Sequence, residues 1–175
     1  MLQHEALLQM AASMRCRTIE IGGKDYLDRY FAGYSERGGQ WWLHHFLRAD
    51  SERHLHSHAF DAQVTVLRGS YVEEVVEEHD GGQFKTQRLY RVGDQRPLHT
   101  STIHRIVYVE PGTWTLLHVD PGRLKQWAFI DDGGKRVLVE SAGEDWWKSY
   151  MPKNGEWAIP TPPVFMPFAG GAGGR

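Results

Sequence analysis

Between residues 40 and 140 apolar and polar residues alternate in short bursts, at 40–47, 63–68, 70–78, 83–90, 104–109, 113–119, 126–130 and 135–140. Alternation with period two puts successive side chains on opposite faces of a strand. Between the bursts stand Arg68-Gly69, Asp80-Gly-Gly82, Pro111-Gly112, Pro121-Gly122 and Asp131-Asp-Gly-Gly134. Such pairs favour the tight turns that join antiparallel strands. With no strand–helix–strand spacing, the pattern predicts an all-β fold, a single-domain sandwich or barrel. Upstream, residues 2–14 fit a short amphipathic helix with Leu7, Leu8, Met10 and Met14 on its apolar side, and 18–21 a first strand. Residues 24–31 place Tyr26, Leu27, Tyr30 and Phe31 at helical spacing, which predicts a second helix. Residues 144–150, with Trp146-Trp147, read as a short covering helix, and beyond them the chain turns proline-rich and then glycine-rich. The chain therefore divides into 1–39 (packing elements), 40–140 (the barrel) and 141–175 (a covering segment and tail).

Composition narrows the function classes. A hydrophobic content of 41% and a charged content of 24% suit a globular protein. A net charge of −2 supplies no general basic field for nucleic acid. The single cysteine, Cys16, rules out an internal disulfide, a zinc ribbon and the paired-cysteine signature of zinc deaminases. No apolar run approaches the roughly twenty residues that span a bilayer, and the N-terminus makes a poor signal peptide. The expectation is a cytoplasmic protein.

The densest chemistry lies in His54-Leu-His56-Ser-His58-Ala-Phe-Asp61. In an extended chain His54, His56 and His58 share one side, spaced to grip a cation. One strand cannot surround an ion, so a further ligand must come from elsewhere. His104, opening the run 104–109, is the best candidate, ahead of His99 and His118. Tyr108 follows His104 by four along that strand and would share its face, as a hydrogen-bond donor or acid; Tyr71 and Tyr90 have no argued direction. His44 and His45 fall on opposite faces of one strand, so one of them should be exposed. Glu73-Glu74 and Glu77-Glu78 alternate with valines and read as a solvated edge. Arg68, Arg88, Arg91 and Arg105 are candidates for an anionic substrate if they gather at the barrel mouth.

Two segments resemble the motifs of the cupin superfamily. His56-Ser-His58 followed at a fitting distance by Gly69 is similar to the first; Gly93-Asp94, Pro97 and His104 are similar to the second, with a longer interval from Pro97 to His104. The resemblance extends more loosely from Trp41 to Phe129, and its ends resemble small cupins of phage and prophage genomes. It implies a double-stranded β-helix, or jelly-roll barrel, with short flanking helices and a homodimeric assembly. It also implies a divalent transition metal on His56, His58 and His104. Where many cupins carry a glutamate ligand this chain has Ala62, beside Asp61 and Gln63. Three readings follow: Asp61 swings in as a fourth ligand by way of a small bulge, the site uses three histidines alone, or the metal has been lost.

Histidine donors favour borderline ions over magnesium or calcium. Fe(II) would support oxygenation of a small molecule; Zn(II), Mn(II) or Ni(II) would support isomerase, lyase or hydrolytic chemistry. The alternative is a non-catalytic cupin that binds a small ligand or a partner protein. A two-histidine phosphoesterase finds only His99-Thr-Ser101, and serine-hydrolase, P-loop and dinucleotide motifs are absent.

Overall fold

The computed structural model describes residues 3–21, 24–49, 54–79, 82–122, 126–130, 135–139 and 151–152. A helix α1 (His4–Ala11) leads into twelve strands: β1 (Arg15–Ile21), β2 (Lys24–Tyr34), β3 (Gln40–Phe46), β4 (Ala62–Arg68), β5 (Ser70–His79), β6 (Gly82–Arg91), β7 (Gln95–Leu98), β8 (Ile103–Val109), β9 (Trp114–Val119), β10 (Trp127–Ile130), β11 (Arg136–Val139) and β12 (Met151–Pro152). Seven form one sheet in the order β12-β1-β2-β3-β9-β4-β7; β6-β5-β8 and β10-β11 form the facing wall. Neighbouring strands pair antiparallel throughout.

The stretch from Leu55 to Ser57 joins the two parts of the facing wall. His56 and His104 exchange backbone N–H···O bonds of 2.9 Å, Ser57 N donates to Ala128 O, and Ile130 N donates to Leu55 O. The histidine-rich segment is therefore an extra rung between β8 and β10, which explains why it adopts the extended form its alternation suggests. Two sheets closing over one interior give the expected all-β jelly-roll architecture.

Alternation assigns the faces of the large sheet. Trp42, Val64, Leu117 and Val119 turn inward, and Leu43, Tyr30, Ala32 and Trp114 turn outward. That outer face is not left to solvent, because Leu7 and Ala11 of α1 pack onto it. His45 consequently lies under the helix, stacked on Trp114 at 4.4 Å, and both His44 and His45 are largely covered. The expectation that one would be exposed is overturned by this third layer.

Residues 24–31 belong to strand β2, not to a helix. Hydrogen-bonded along both edges and buried at successive positions on both faces, β2 has aromatic residues that suit a sheet. A strand buried on two faces can mimic helical spacing. The bulge between Phe31 and Gly33, where Gly33 has positive φ, removes strict alternation. The strand β7, which contains Pro97, is an addition to the predicted strands; it lies at a sheet edge, where proline is tolerated. Residues 144–150 and the tail lie outside the described residues. No helix among the described residues is long and apolar enough to cross a membrane.

Candidate metal centre

Backbone pairing of His56 with His104 sets two imidazoles side by side, and His58, two residues on, completes a triangle. The ring centroids are 5.0 Å apart for His56–His104, 5.3 Å for His56–His58 and 5.0 Å for His58–His104. One ring nitrogen from each lies within 4.8 Å of the others. The Nε2 atoms of His58 and His104 are 2.8 Å apart. Two metal–nitrogen bonds of about 2.1 Å at a right angle would span about 3 Å, so the spacing fits a shared ion.

The remaining nitrogens decide which lone pairs point inward. His56 Nδ1 lies 3.1 Å from the His54 carbonyl oxygen, which only accepts, so Nδ1 carries the proton and Nε2 is the donor atom for a cation. His104 Nδ1 lies against a carboxylate oxygen of Glu73, a proximity whose negative charge favours the proton on that nitrogen and leaves Nε2 for a cation. A ring nitrogen held by a carbonyl or carboxylate is the usual outer support of a metal-ligating histidine.

Glu73 is the site residue that sequence reasoning missed. It is 1% exposed, its Oε1 lies 2.5 Å from Arg96 Nη2, and Arg96 Nε donates to Tyr71 Oη at 3.1 Å. Burial pushes the Tyr71 phenol up to about 12, with Arg96 partly opposing, so this hydroxyl keeps its proton. The solvated-edge reading of Glu73-Glu74 is therefore corrected. On β5 Tyr71, Glu73 and Val75 face inward, while Glu74 faces out and pairs with Arg105 at 2.9 Å.

Other expected residues lie apart. Asp61 is not in the triangle: it is 38% exposed, and its Oδ1 accepts a 2.7 Å hydrogen bond from Thr100 N. Ala62, next to it, packs among Trp42, Leu98 and Val119. His54 is exposed and stacks on Phe129, His99 is exposed near Asp61, and His118 stacks on Trp41. Tyr108 is 52% exposed and turned away from His104. The cause is a bulge: Ile106 pairs with Glu73 and Tyr108 with Val72, so Val107 is an extra residue. It reverses the alternation, and Val109 rather than Tyr108 joins the core. The arginines Arg68, Arg88, Arg91 and Arg105 do not gather at the site. Arg68 donates to Gly112 O, and Arg88 and Arg105 engage Glu77 and Glu74.

Instead, a cavity of about 70 Å³ between the sheets is lined by His56, His58 and His104 on one wall and by Arg29, His44 and Thr115 on the other. Tyr71 and Arg96 also border it. Burial, and then the Arg29 charge, hold the His44 imidazole well below its ordinary value of 6.5, so it is neutral.

No family model and no curated protein sequence matches the chain. Among solved structures it is similar to FeII HppE at 10% identity, with 61% of this chain and 56% of that one covered and a TM-score of 0.46. It is similar to oxalate decarboxylase from Bacillus subtilis at 19% identity, covering 64% and 28%, with a TM-score of 0.45. A third similarity is to the Drosophila melanogaster CENP-C cupin domain at 13% identity, covering 62% and 81%, with a TM-score of 0.40. The aligned region spans little over half of the first and under a third of the second. With its antiparallel sheets and its His-x-His segment paired to His104 and facing the interior, this chain has an all-β jelly-roll fold.

Proposed function

We propose that the protein is a metal-dependent enzyme acting on a small molecule, in its most specific form an Fe(II) oxygenase. The observation that carries this reading is the triangle itself: one ring nitrogen each of His56, His58 and His104 lies within 4.8 Å of the others, a backbone carbonyl holds His56 Nδ1, and the Glu73 carboxylate lies beside His104 Nδ1. Structural histidines do not need two inward lone pairs on one point. Three neutral imidazoles, with no carboxylate among the grouped ligand atoms, suit a borderline divalent ion with coordination positions left for substrate. A ferrous ion there would supply redox chemistry with dioxygen, and zinc, manganese or nickel would supply Lewis acidity.

The chain's own residues do the rest. His56, His58 and His104 bind through Nε2, Glu73 orients His104, and Arg96 balances the Glu73 charge. Tyr71 Oη, protonated across the working range, is held by Arg96 at the cavity border.

A second reading, a non-catalytic cupin binding a ligand or partner, is favoured by Ala62, whose methyl group packs in the core where many cupins place a carboxylate ligand. Elemental analysis after purification from metal-supplemented medium, then oxygen uptake with Fe(II), separates the two. The enzyme reading expects about one ion per chain and uptake that His56→Ala abolishes; a metal-free protein indifferent to His56→Ala contradicts it. Homodimerisation belongs to the same proposal, with β6 as the open sheet edge carrying exposed Phe84 and Leu89. Sedimentation would read twice the chain mass.

A further inference from the structure

On the cavity wall opposite the histidines, two polar groups face the interior side by side. His44 of β3 and Thr115 of β9 are direct partners in register. Such cross-strand partners stand about 5 Å apart on one face of a sheet. Both side chains line the cavity that His56, His58 and His104 border from the other side. His44 is 8% and Thr115 1% exposed, yet His44 Nε2 and Thr115 Oγ1 have no hydrogen-bond partner among the described residues. Buried polar atoms are nearly always satisfied, and each exception asks for a missing partner. Two such atoms, adjacent in one cavity, call for one partner that serves both.

The hydrogen-bonding capacity of the pair selects that partner. The His44 imidazole, kept neutral first of all by its burial, donates or accepts at Nε2 according to its tautomer. The Thr115 hydroxyl does both. A hydroxyl group on the ligand matches the pair in either tautomer, because it donates to one neighbour while accepting from the other. A carbonyl oxygen only accepts and needs both groups to donate; an ammonium only donates and needs both to accept. Room is the second constraint. The cavity of about 70 Å³ exceeds the roughly 10–15 Å³ that one water requires, so it admits a molecule of a few non-hydrogen atoms.

We propose that His44 and Thr115 form a hydroxyl-binding subsite, and that the ligand of this protein is a small alcohol. Its hydroxyl sits between His44 Nε2 and Thr115 Oγ1, and the rest of the molecule is directed toward His56, His58 and His104. That direction rests on the metal-site reading above; the subsite itself does not.

The test titrates 1,3-propanediol, as probe, into metal-free and Zn(II)-loaded protein and follows the backbone amide resonances of positions 44 and 115. The diol shifts them saturably in the wild type, and Thr115→Val and His44→Phe each weaken its affinity about fivefold or more. Thr115→Ser, which keeps the hydroxyl, stays within about threefold of the wild type. Thr115→Val removes an unpartnered hydroxyl at nearly constant shape, so its melting temperature stays level or rises while diol binding falls, a split that a purely structural role would not produce. Absence of a saturable shift in both forms of the wild type, or an affinity that neither variant changes, overturns the subsite. Zn(II) tightens diol binding; a loaded protein that binds the diol no more tightly contradicts the direction toward the histidines. If Zn(II) fails to bind but the diol binds the metal-free protein in a Thr115-dependent way, the metal reading falls and the subsite stands.

Discussion

Glu73 is the side chain on which the site's geometry turns. Replacing it by glutamine keeps the shape and removes the charge, so His104 Nδ1 faces an amide that can present either oxygen or nitrogen. Loss of such an outer partner typically lowers metal affinity about 10- to 100-fold, and competition against a chromophoric chelator should read that drop for Glu73→Gln. Glu73→Ala goes further by leaving the Arg96 guanidinium buried without its counter-charge, at a cost of about 3–5 kcal/mol in denaturant unfolding. His44 supplies a pH signature. Held below 6.5 by burial and Arg29, it stays neutral in the folded chain while the unfolded chain takes up a proton. Its contribution to stability is therefore complete above about pH 6.5 and is lost as pH falls below it. Unfolding free energy measured from pH 7.5 to 5 should decline less steeply for His44→Gln than for the wild type; equal slopes would contradict the assignment. Neither residue was legible beforehand, and the reasons differ. Tyr71-Val-Glu-Glu-Val-Val76 satisfies inward alternation in both parities, so it cannot say which glutamate is buried. Arg29, His44 and Thr115 become neighbours only through strand register, which pairs residues far apart in sequence.

At the level of single elements, strand parity governs which side chains reach the interior. The extra residue Val107 turns Tyr108 out, so Tyr108→Phe should leave metal affinity and any turnover within about twofold, as for an exposed position. A larger loss would return Tyr108 to the site. The short helix α1 matters more than its length suggests, because Leu7 is fully buried among Tyr30, Leu43 and Trp114. Leu7→Ala should cost about 2–5 kcal/mol in chemical denaturation, the range for emptying a packed leucine site. The strands bounded by glycine turns were readable from alternation alone, since the turn residues and the period agree. Strand β2 was not, because burial on both faces erases the two-residue period that identifies a strand. A bulge such as Val107 leaves no mark in the alternation either, because it is defined by the partner strand.

For the whole molecule, the central feature is that one extended segment both closes the barrel wall and carries two of the three histidines. Residues 55–57 tie β8 to β10, so folding and assembly of the site are one event. An ion that binds only the folded form stabilises it by about 2.7 kcal/mol at a hundredfold excess over its dissociation constant. The melting temperature should rise by several degrees with Fe(II), Co(II) or Zn(II), fall back with a chelator, and not respond in His56→Ala. The barrel, its antiparallel sheets and the pairing of His56 and His58 with His104 could be anticipated from motif and turn spacing. The joining of the facing wall through the histidine segment could not, because it depends on long-range backbone bonds with no local signal.

Anomalous scattering from a crystal of metal-loaded protein, recorded on either side of the metal's absorption edge, tests the central claim most directly. The account expects one peak at about 2.0–2.2 Å from the Nε2 atoms of His56, His58 and His104, with Glu73 still against His104 Nδ1. A loaded crystal with no peak there, or with the ion bound at Asp61 or on the surface instead, would contradict it.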